Sequence, residues 1–375
     1  MNTRNLIADA VLISTLMLDA ASLAADCSWT RKTGMPTARS LVVAYVVDGR
    51  IYCTGGGART GVLYPALEQY DPATDTWTNR TRMPTPRSGF DGGVVNGKIY
   101  ATGGGDSTGC LSVVEEYDPA TDAWRSKAPM PTARGLLCCG VVEGKIYAIA
   151  GTPVGSGNWN IVEAYDVATD TWTKKANMPS PRVGCSCSTV NGVIYVLGGS
   201  PDGSSSLSSV LAYNPVTDTW TSRASMRKAR MFLSTCVMNG KIYAVGGCGN
   251  PYDGSEALSV EAYDPATDTW RMMPSMQVKR KALATAVVNG RIYAIGGISS
   301  GGWEPGLATV EEYDPKPTVS LLRTGSTLKV YWNGILESSD TVDDVSWLAL
   351  NPPAWPYSTN LDLAGPMKFY RARQP

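Results

Sequence analysis

The sequence predicts an all-β protein assembled from six copies of one four-stranded unit. Three observations carry that reading. Tryptophans Trp29, Trp77, Trp124, Trp172, Trp220 and Trp270 recur at spacings of 48, 47, 48, 48 and 50 residues. Each is followed six positions later by methionine (Met35, Met83, Met130, Met178, Met226, Met276) and ten positions later by arginine (Arg39, Arg87, Arg134, Arg182, Arg230, Arg280). The composition, with 39 glycines and 24 prolines in 375 residues, suits many short strands joined by tight turns. Self-similarity at such a period marks one supersecondary unit copied in series.

Within a unit the elements follow in order. The stretch after the arginine, such as "GCSCSTV" at 184–190, reads as the first strand. A polar residue and glycine come next, as in Asn96–Gly97 and Asn239–Gly240. This pair predicts a two-residue hairpin, whose central residues both need positive φ. The second strand, as in "KIYAVGG", carries Ile–Tyr in all six copies and ends on diglycine in five, with Ala150–Gly151 in the third. "VEAYD" is the third strand. The "DPATD" turn follows, with proline fixing φ and the aspartate and threonine bonding nearby backbone. "TWTKKANMP" supplies the fourth. Antiparallel units of this kind repeated about an axis make a β-propeller, whose sheet edges are short and protected.

The string MPxxR…NGKIYxxGG…VExYDPATDTW resembles the kelch repeat, and the resemblance covers 27–315. It implies a six-bladed kelch β-propeller. The sixth copy, "YDPKPTVS" at 313–320, breaks off with Ser320 where the other copies have tryptophan. Kelch propellers commonly close by combining both chain ends in one blade. The resemblance therefore implies that the last blade, 281–314, takes "CSWTRKTGMP" at 27–36 as its fourth strand and Trp29 as its missing indole. Beyond Pro315 the motif ends. Residues 316–375 read as a small β-sandwich-like appendage similar to modules at the ends of bacterial secreted proteins, with strands at "LKVYW", "VSWLAL" and "KFYRAR".

Charge and composition limit the function. Basic and acidic residues balance at 33 each, which offers no field for nucleic acid. Histidine is absent, which removes the commonest zinc and copper ligands and the imidazole-dependent nucleophile triads. Residues 1–25 resemble a bacterial secretory signal, with one arginine, the apolar run Ala10–Leu18 and small residues up to Ala25. An apolar run of about ten residues is too short for a bilayer anchor, so no membrane span is expected in the mature chain. The expected location is secreted, periplasmic or cell-surface, and the alternative is a disordered leader on a cytoplasmic protein. The nine cysteines are odd in number, and Cys138–Cys139 and Cys185/Cys187 fall on expected strands, so they are read as small buried hydrophobes. Cys139 and Cys187 share an offset on neighbouring innermost strands, with Cys236 one position away. No other soft ligand recurs there, so neither metal nor cofactor is assigned.

Strand alternation sorts the loops onto two faces. The Asn–Gly hairpins and DPATD turns occupy one and hardly vary. The diglycine loops and the Met–Arg segments occupy the other, where diglycine to tyrosine spans 14, 13, 14, 14, 16 and 16 residues. Variable loops on a fixed scaffold are where recognition usually lives. Tyr64, Trp159, Tyr252, Asp253, Trp303 and Glu304 are therefore candidate ligand contacts, with Asp106, Asn160 and Asp202 on the same loops. The six arginines open the innermost strands on this face, and the kelch resemblance makes them candidate contacts for acidic groups. The competing role is structural. Glu68, Glu115, Glu163, Glu261 and Glu311 precede the motif tyrosine by two residues, so each could pair with its blade's arginine. Blade four has Leu211 there, which singles out Arg182.

The expected function is a non-catalytic scaffold binding a protein or carbohydrate partner through the variable-loop face. The alternative is a sugar-modifying enzyme similar to sialic-acid mutarotases. Copper-radical oxidases resembling galactose oxidase share the scaffold but need histidine ligands. The substrate-receptor role in a ubiquitin ligase is disfavoured by the short stretch ahead of the first motif.

Overall fold

The computed structural model describes residues 29–315 except 58–60, 154–159, 252–254, 256 and 300–305, together with short strands of the segment that follows. Trp29–Tyr313 forms one compact unit. It contains six four-stranded antiparallel sheets, five of them simple meanders and the sixth completed by a strand from the other end of the unit. Blade one runs Val43–Val47, Arg50–Thr54, Leu67–Asp71 and Thr76–Arg80. The innermost strands of blades two to six are Asp91–Val95, Cys138–Val142, Ser186–Val190, Ser234–Met238 and Ala284–Val288. Each of the six touches its two neighbours, and the series returns to Val43–Val47, so the blades form a closed ring.

Closure is made by strand exchange between chain ends. Trp29–Lys32 lies antiparallel to Val310–Tyr313, with Trp29 opposite Tyr313, and completes the sheet of Arg291–Ile295 and Ala284–Val288. The hairpins between first and second strands take the expected geometry. Asn96 and Gly97 have φ of 52° and 73°, and Asn239 and Gly240 have 51° and 69°.

The DPATD motif fastens one blade to the next. Asp75 accepts from the Tyr70 hydroxyl at 2.6 Å inside its blade and from the Thr33 N–H at 2.9 Å in the preceding one. Asp122, Asp170, Asp218 and Asp268 repeat the inter-blade bond to Thr81, Ala128, Ala176 and Ala224. The indole N–H groups of Trp77, Trp124, Trp172, Trp220 and Trp270 reach the carbonyls of Thr33, Thr81, Ala128, Ala176 and Ala224 across the same seams. In the sixth blade the third and fourth strands come from opposite ends of the chain and are not joined by a DPATD turn. Trp29 still bonds the Pro274 carbonyl at 2.9 Å. Between blades, tyrosines of second strands meet motif tyrosines of the next, as in Tyr52–Tyr117 and Tyr293–Tyr70. These aromatic pairs pack with the aliphatic strand residues that make up the rest of the core between sheets.

First strands begin later than the sequence suggests. Gly184 and Cys185 precede the Ser186–Val190 strand because Gly184 sits at φ 59° and turns the chain toward the axis. The five equivalent positions, Leu41, Gly89, Leu136, Phe232 and Ala282, share this left-handed conformation, at φ 52°, 60°, 51°, 52° and 52°. Their backbone groups form an arc about the axis. Leu136 donates to Gly89, Gly184 to Leu136, Phe232 to Gly184, Ala282 to Phe232 and Leu41 to Ala282, at 2.6, 3.2, 2.7, 2.8 and 2.9 Å. Leucine and phenylalanine rarely adopt positive φ. Here the backbone bonds and the apolar cluster of Met231, Phe232, Cys248 and Ala282 hold it.

The segment from Asp314 onward belongs to a second unit. It carries two three-stranded sheets, one of Val319–Thr324, Thr327–Trp332 and Tyr357–Leu361, the other of Leu348–Leu350, Ile335–Ser339 and Phe369–Arg373.

Candidate functional site

The six arginines are interior groups. Arg39, Arg87, Arg134 and Arg280 are 0% exposed, and Arg182 and Arg230 are 1% exposed. Five pair with the glutamate of their own blade: Arg39 with Glu68 at 2.7 Å, Arg87 with Glu115 at 2.5 Å, Arg134 with Glu163, Arg230 with Glu261 at 2.5 Å and Arg280 with Glu311 at 2.7 Å. Further donors reach strand-end carbonyls, as Arg280 does to Gly296 and Thr309, both at 3.0 Å, while the Nε groups of Arg87, Arg134 and Arg230 are buried without a hydrogen-bond partner. The other glutamate oxygen is taken by the MPTxR threonine in blades one to three, through Thr37, Thr85 and Thr132. Backbone N–H groups of Arg227 and Gln277 do the same in blades five and six. As candidate ligand contacts these arginines are corrected to blade struts, because burial at 0–1% exposure keeps the guanidinium from an incoming acidic group.

Arg182 differs from the others. Leu211 replaces the glutamate, and Arg182 bonds the Gly198 carbonyl at 3.0 Å and the carbonyl and hydroxyl of Ser209 at 2.9 and 2.8 Å. No carboxylate pairs with it among the described residues. Burial lowers its pKa, and Cys185 and Cys138 act on it in the opposite sense. It is as deeply buried as the rest, so its distinction is electrostatic and internal.

The diglycine loops and Met–Arg segments do share one face. The Gly56 N–H bonds the Arg87 carbonyl, and Ser40 pairs with Gly57. Tyr64 is half-buried there, its N–H on the Gly56 carbonyl at 3.0 Å. Asp106 and Asp202 shape their own loops. Asp202 accepts from the N–H groups of Ser204 and Ser205 at 2.8 and 2.7 Å, and these bonds hold its carboxyl far below the usual range. Asn160 donates to the Met178 carbonyl at 3.0 Å. Val62 and Leu258 present exposed apolar surface on this side. A groove of about 600 Å³ opens at blade five between Lys228, Ser255, Leu258 and Lys279. Trp159, Tyr252, Asp253, Trp303 and Glu304 lie outside the described residues, as does the leader 1–25.

A second cavity, of about 180 Å³, lies on the axis within the ring of first strands. Its wall includes Asp91, Cys139, Cys185, Cys187, Thr235 and Thr285. The Asp91 carboxylate accepts from the Cys139 N–H of the next blade at 2.7 Å and from the Gly92 N–H at 2.8 Å. Burial pushes its pKa up to about 7 against the lowering effect of those two donors. The Tyr45 hydroxyl is buried without a hydrogen-bond partner, close to the α-carbon of Gly92, where an added Cβ would lie 2.9 Å from it. Sequence reasoning placed Cys139 and Cys187 on neighbouring innermost strands but missed Asp91, which occupies a repeat position held elsewhere by Val43, Cys138, Ser186, Ser234 and Ala284, residues that share no chemistry. Among the described residues, no group of three or more thiols or carboxylates is arranged to hold a metal ion, and no helix is long and apolar enough to cross a membrane.

A comparison with curated proteins returned no match. The profile of the Attractin/LZTR1 beta-propeller family matches residues 51–302, which runs from the second strand of blade one into the last variable loop. The match covers about two thirds of the chain and most of the six-bladed ring, and the chain belongs to the Attractin/LZTR1 beta-propeller family.

Proposed function

We propose that the chain is an exported, non-catalytic scaffold that binds a protein or glycan partner through the face bearing the diglycine loops. One observation carries this reading: the repeating polar groups are consumed inside the blades, so the surface that varies between blades is this face. Its described part combines half-buried Tyr64, the exposed side chains of Val62 and Leu258 and the blade-five groove, a mixture of apolar and polar groups suited to recognition. The enzymatic alternative has less support. Ring opening of a sugar wants an acid and a base about one small cavity, and Asp91 is the one carboxylate on the described axial wall.

The test is a glycan array together with a pull-down, using the full chain. Trp159→Ala, Trp303→Ala and Tyr64→Ala should each weaken the partner found, while substitutions at the DPATD turns on the opposite face, such as Val216→Ser, should leave it unchanged. Binding lost in Val216→Ser but kept in the three loop variants would assign recognition to the wrong face. Turnover of a free sugar abolished by Asp91→Asn would favour the enzyme.

A further inference from the structure

The seams between first strands are bridged by side chains whose chemistry changes from blade to blade. Between blades two and three, Asp91 takes the Cys139 N–H. Between four and five, Ser186 and Thr235 share a hydrogen bond at 2.8 Å, and between five and six Ser234 and Thr285 do the same at 2.8 Å. At the seam of blades three and four thiols take this place, with Cys187 at the repeat position of Thr235 and Thr285 and Cys185 two residues before it. The Cys138 and Cys185 sulfurs lie 3.6 Å apart, and Cys187 is within hydrogen-bonding reach of Cys138.

We propose that Cys138 and Cys185 form a redox modification site: a reversible disulfide that staples blades three and four, made by a small peroxide entering the axial cavity. Cys185 lines that cavity whereas Cys138 stands behind it, 1% exposed, so the oxidant meets Cys185 first. The Cys185 thiolate attacks one peroxide oxygen, the O–O bond breaks, and water leaves, giving a sulfenic acid. The Cys138 thiolate then attacks the Cys185 sulfur and the sulfenic oxygen departs as a second water. In sum, two thiols and hydrogen peroxide give one disulfide and two waters.

Geometry favours this pair. Closing from 3.6 Å to a bonded S–S distance of roughly 2.05 Å needs about 1.5 Å of approach, shared between two χ1 torsions. The cavity, of about 180 Å³, has room for a peroxide molecule. Arg182, the blade arginine without a carboxylate, acts on both sulfurs and favours the thiolate. The Cys185 thiol is nonetheless held well above its ordinary range by its bond to Cys138 and by burial, so oxidation is slow beside that of an exposed thiol.

The experiment treats folded full-length protein with hydrogen peroxide, blocks residual thiols, and maps cross-linked peptides by mass spectrometry. One link between Cys138 and Cys185 is expected, with loss of two hydrogens, reversal by dithiothreitol and a higher denaturation midpoint while the link is present. Cys139→Ser and Cys187→Ser should keep the link, and Cys138→Ser or Cys185→Ser should lose it. A wild-type chain that oxidises to sulfenic or sulfinic acid without the link overturns the proposal, and so does a link to Cys187 in place of Cys185. The wild-type measurement decides even where a variant fails to fold.

Discussion

Trp29 and Tyr313 lie at opposite ends of the propeller sequence, yet their rings stack with centroids 5.5 Å apart and their strands pair in register. The tryptophan is 1% exposed and its indole N–H reaches the Pro274 carbonyl of blade five. One residue thus joins the two ends of the propeller and bridges the seam to blade five.

Trp29→Ala should therefore cost more than any one of the other motif tryptophans. Truncation of a buried aromatic costs about 3–5 kcal/mol, and here the exposed edge of Val310–Tyr313 adds an aggregation liability. Urea denaturation of Trp29→Ala beside Trp172→Ala checks it. Equal midpoints would mean that closure does not depend on this side chain.

The buried arginines make a second, differential prediction. Glu261→Leu leaves Arg230 charged and unpaired in the blade, and breaking such a pair costs about 3–5 kcal/mol. Arg182→Leu leaves the Gly198 carbonyl without its side-chain donor, while the Ser209 carbonyl keeps the Gly198 N–H, and it removes a charge that has no carboxylate, so about 1–3 kcal/mol is expected. Chemical denaturation of both variants at neutral pH should rank them in that order.

Acid should loosen the seams. The bonds from Tyr165, Tyr213 and Tyr263 hold Asp170, Asp218 and Asp268 below the ordinary carboxylate range. A folded pKa below the unfolded one contributes stability above about pH 4, and that contribution is lost as pH falls through the folded value. Asp170→Asn and Asp218→Asn should thus be less stable than the parent at pH 6 and converge with it near pH 2, followed by circular dichroism. A constant difference at every pH would remove the clamps from the acid response.

Asp91 carries the opposite sign. Its folded pKa, raised to about 7 by burial, lies above that of the unfolded chain. Protonation is shared by both states below about pH 4, and the cost of holding the folded carboxylate accumulates between about pH 4 and 7. The stability of Asp91→Asn relative to the parent should rise across that window and level off above it. Denaturation midpoints at pH 4, 5.5 and 7.5 measure this, and a flat difference would place Asp91 in a water-like setting.

Much of the fold was legible because each motif residue has a local job repeated six times. Asn–Gly fixes a turn, Ile–Tyr faces both neighbours, and the truncated copy at 313–320 marks the strand exchange. The Arg–Glu pairing was legible too, since both partners recur at fixed offsets. The left-handed positions at the axis were not. Leu41, Leu136, Phe232 and Ala282 carry no glycine signature, and the conformation exists because neighbouring blades supply the hydrogen bonds.

By itself the sequence determined the unit and its number, because repeated local propensities and a repeated hydrophobic pattern leave one consistent blade, and the manner of closure followed from the kelch resemblance. Only the tertiary structure decided that the arginines are sealed within the blades, that Asp91 stands in an axial cavity and that Cys138 meets Cys185. Those outcomes depend on which blades become neighbours and how much water reaches the space between them, and neither quantity is encoded within a single repeat.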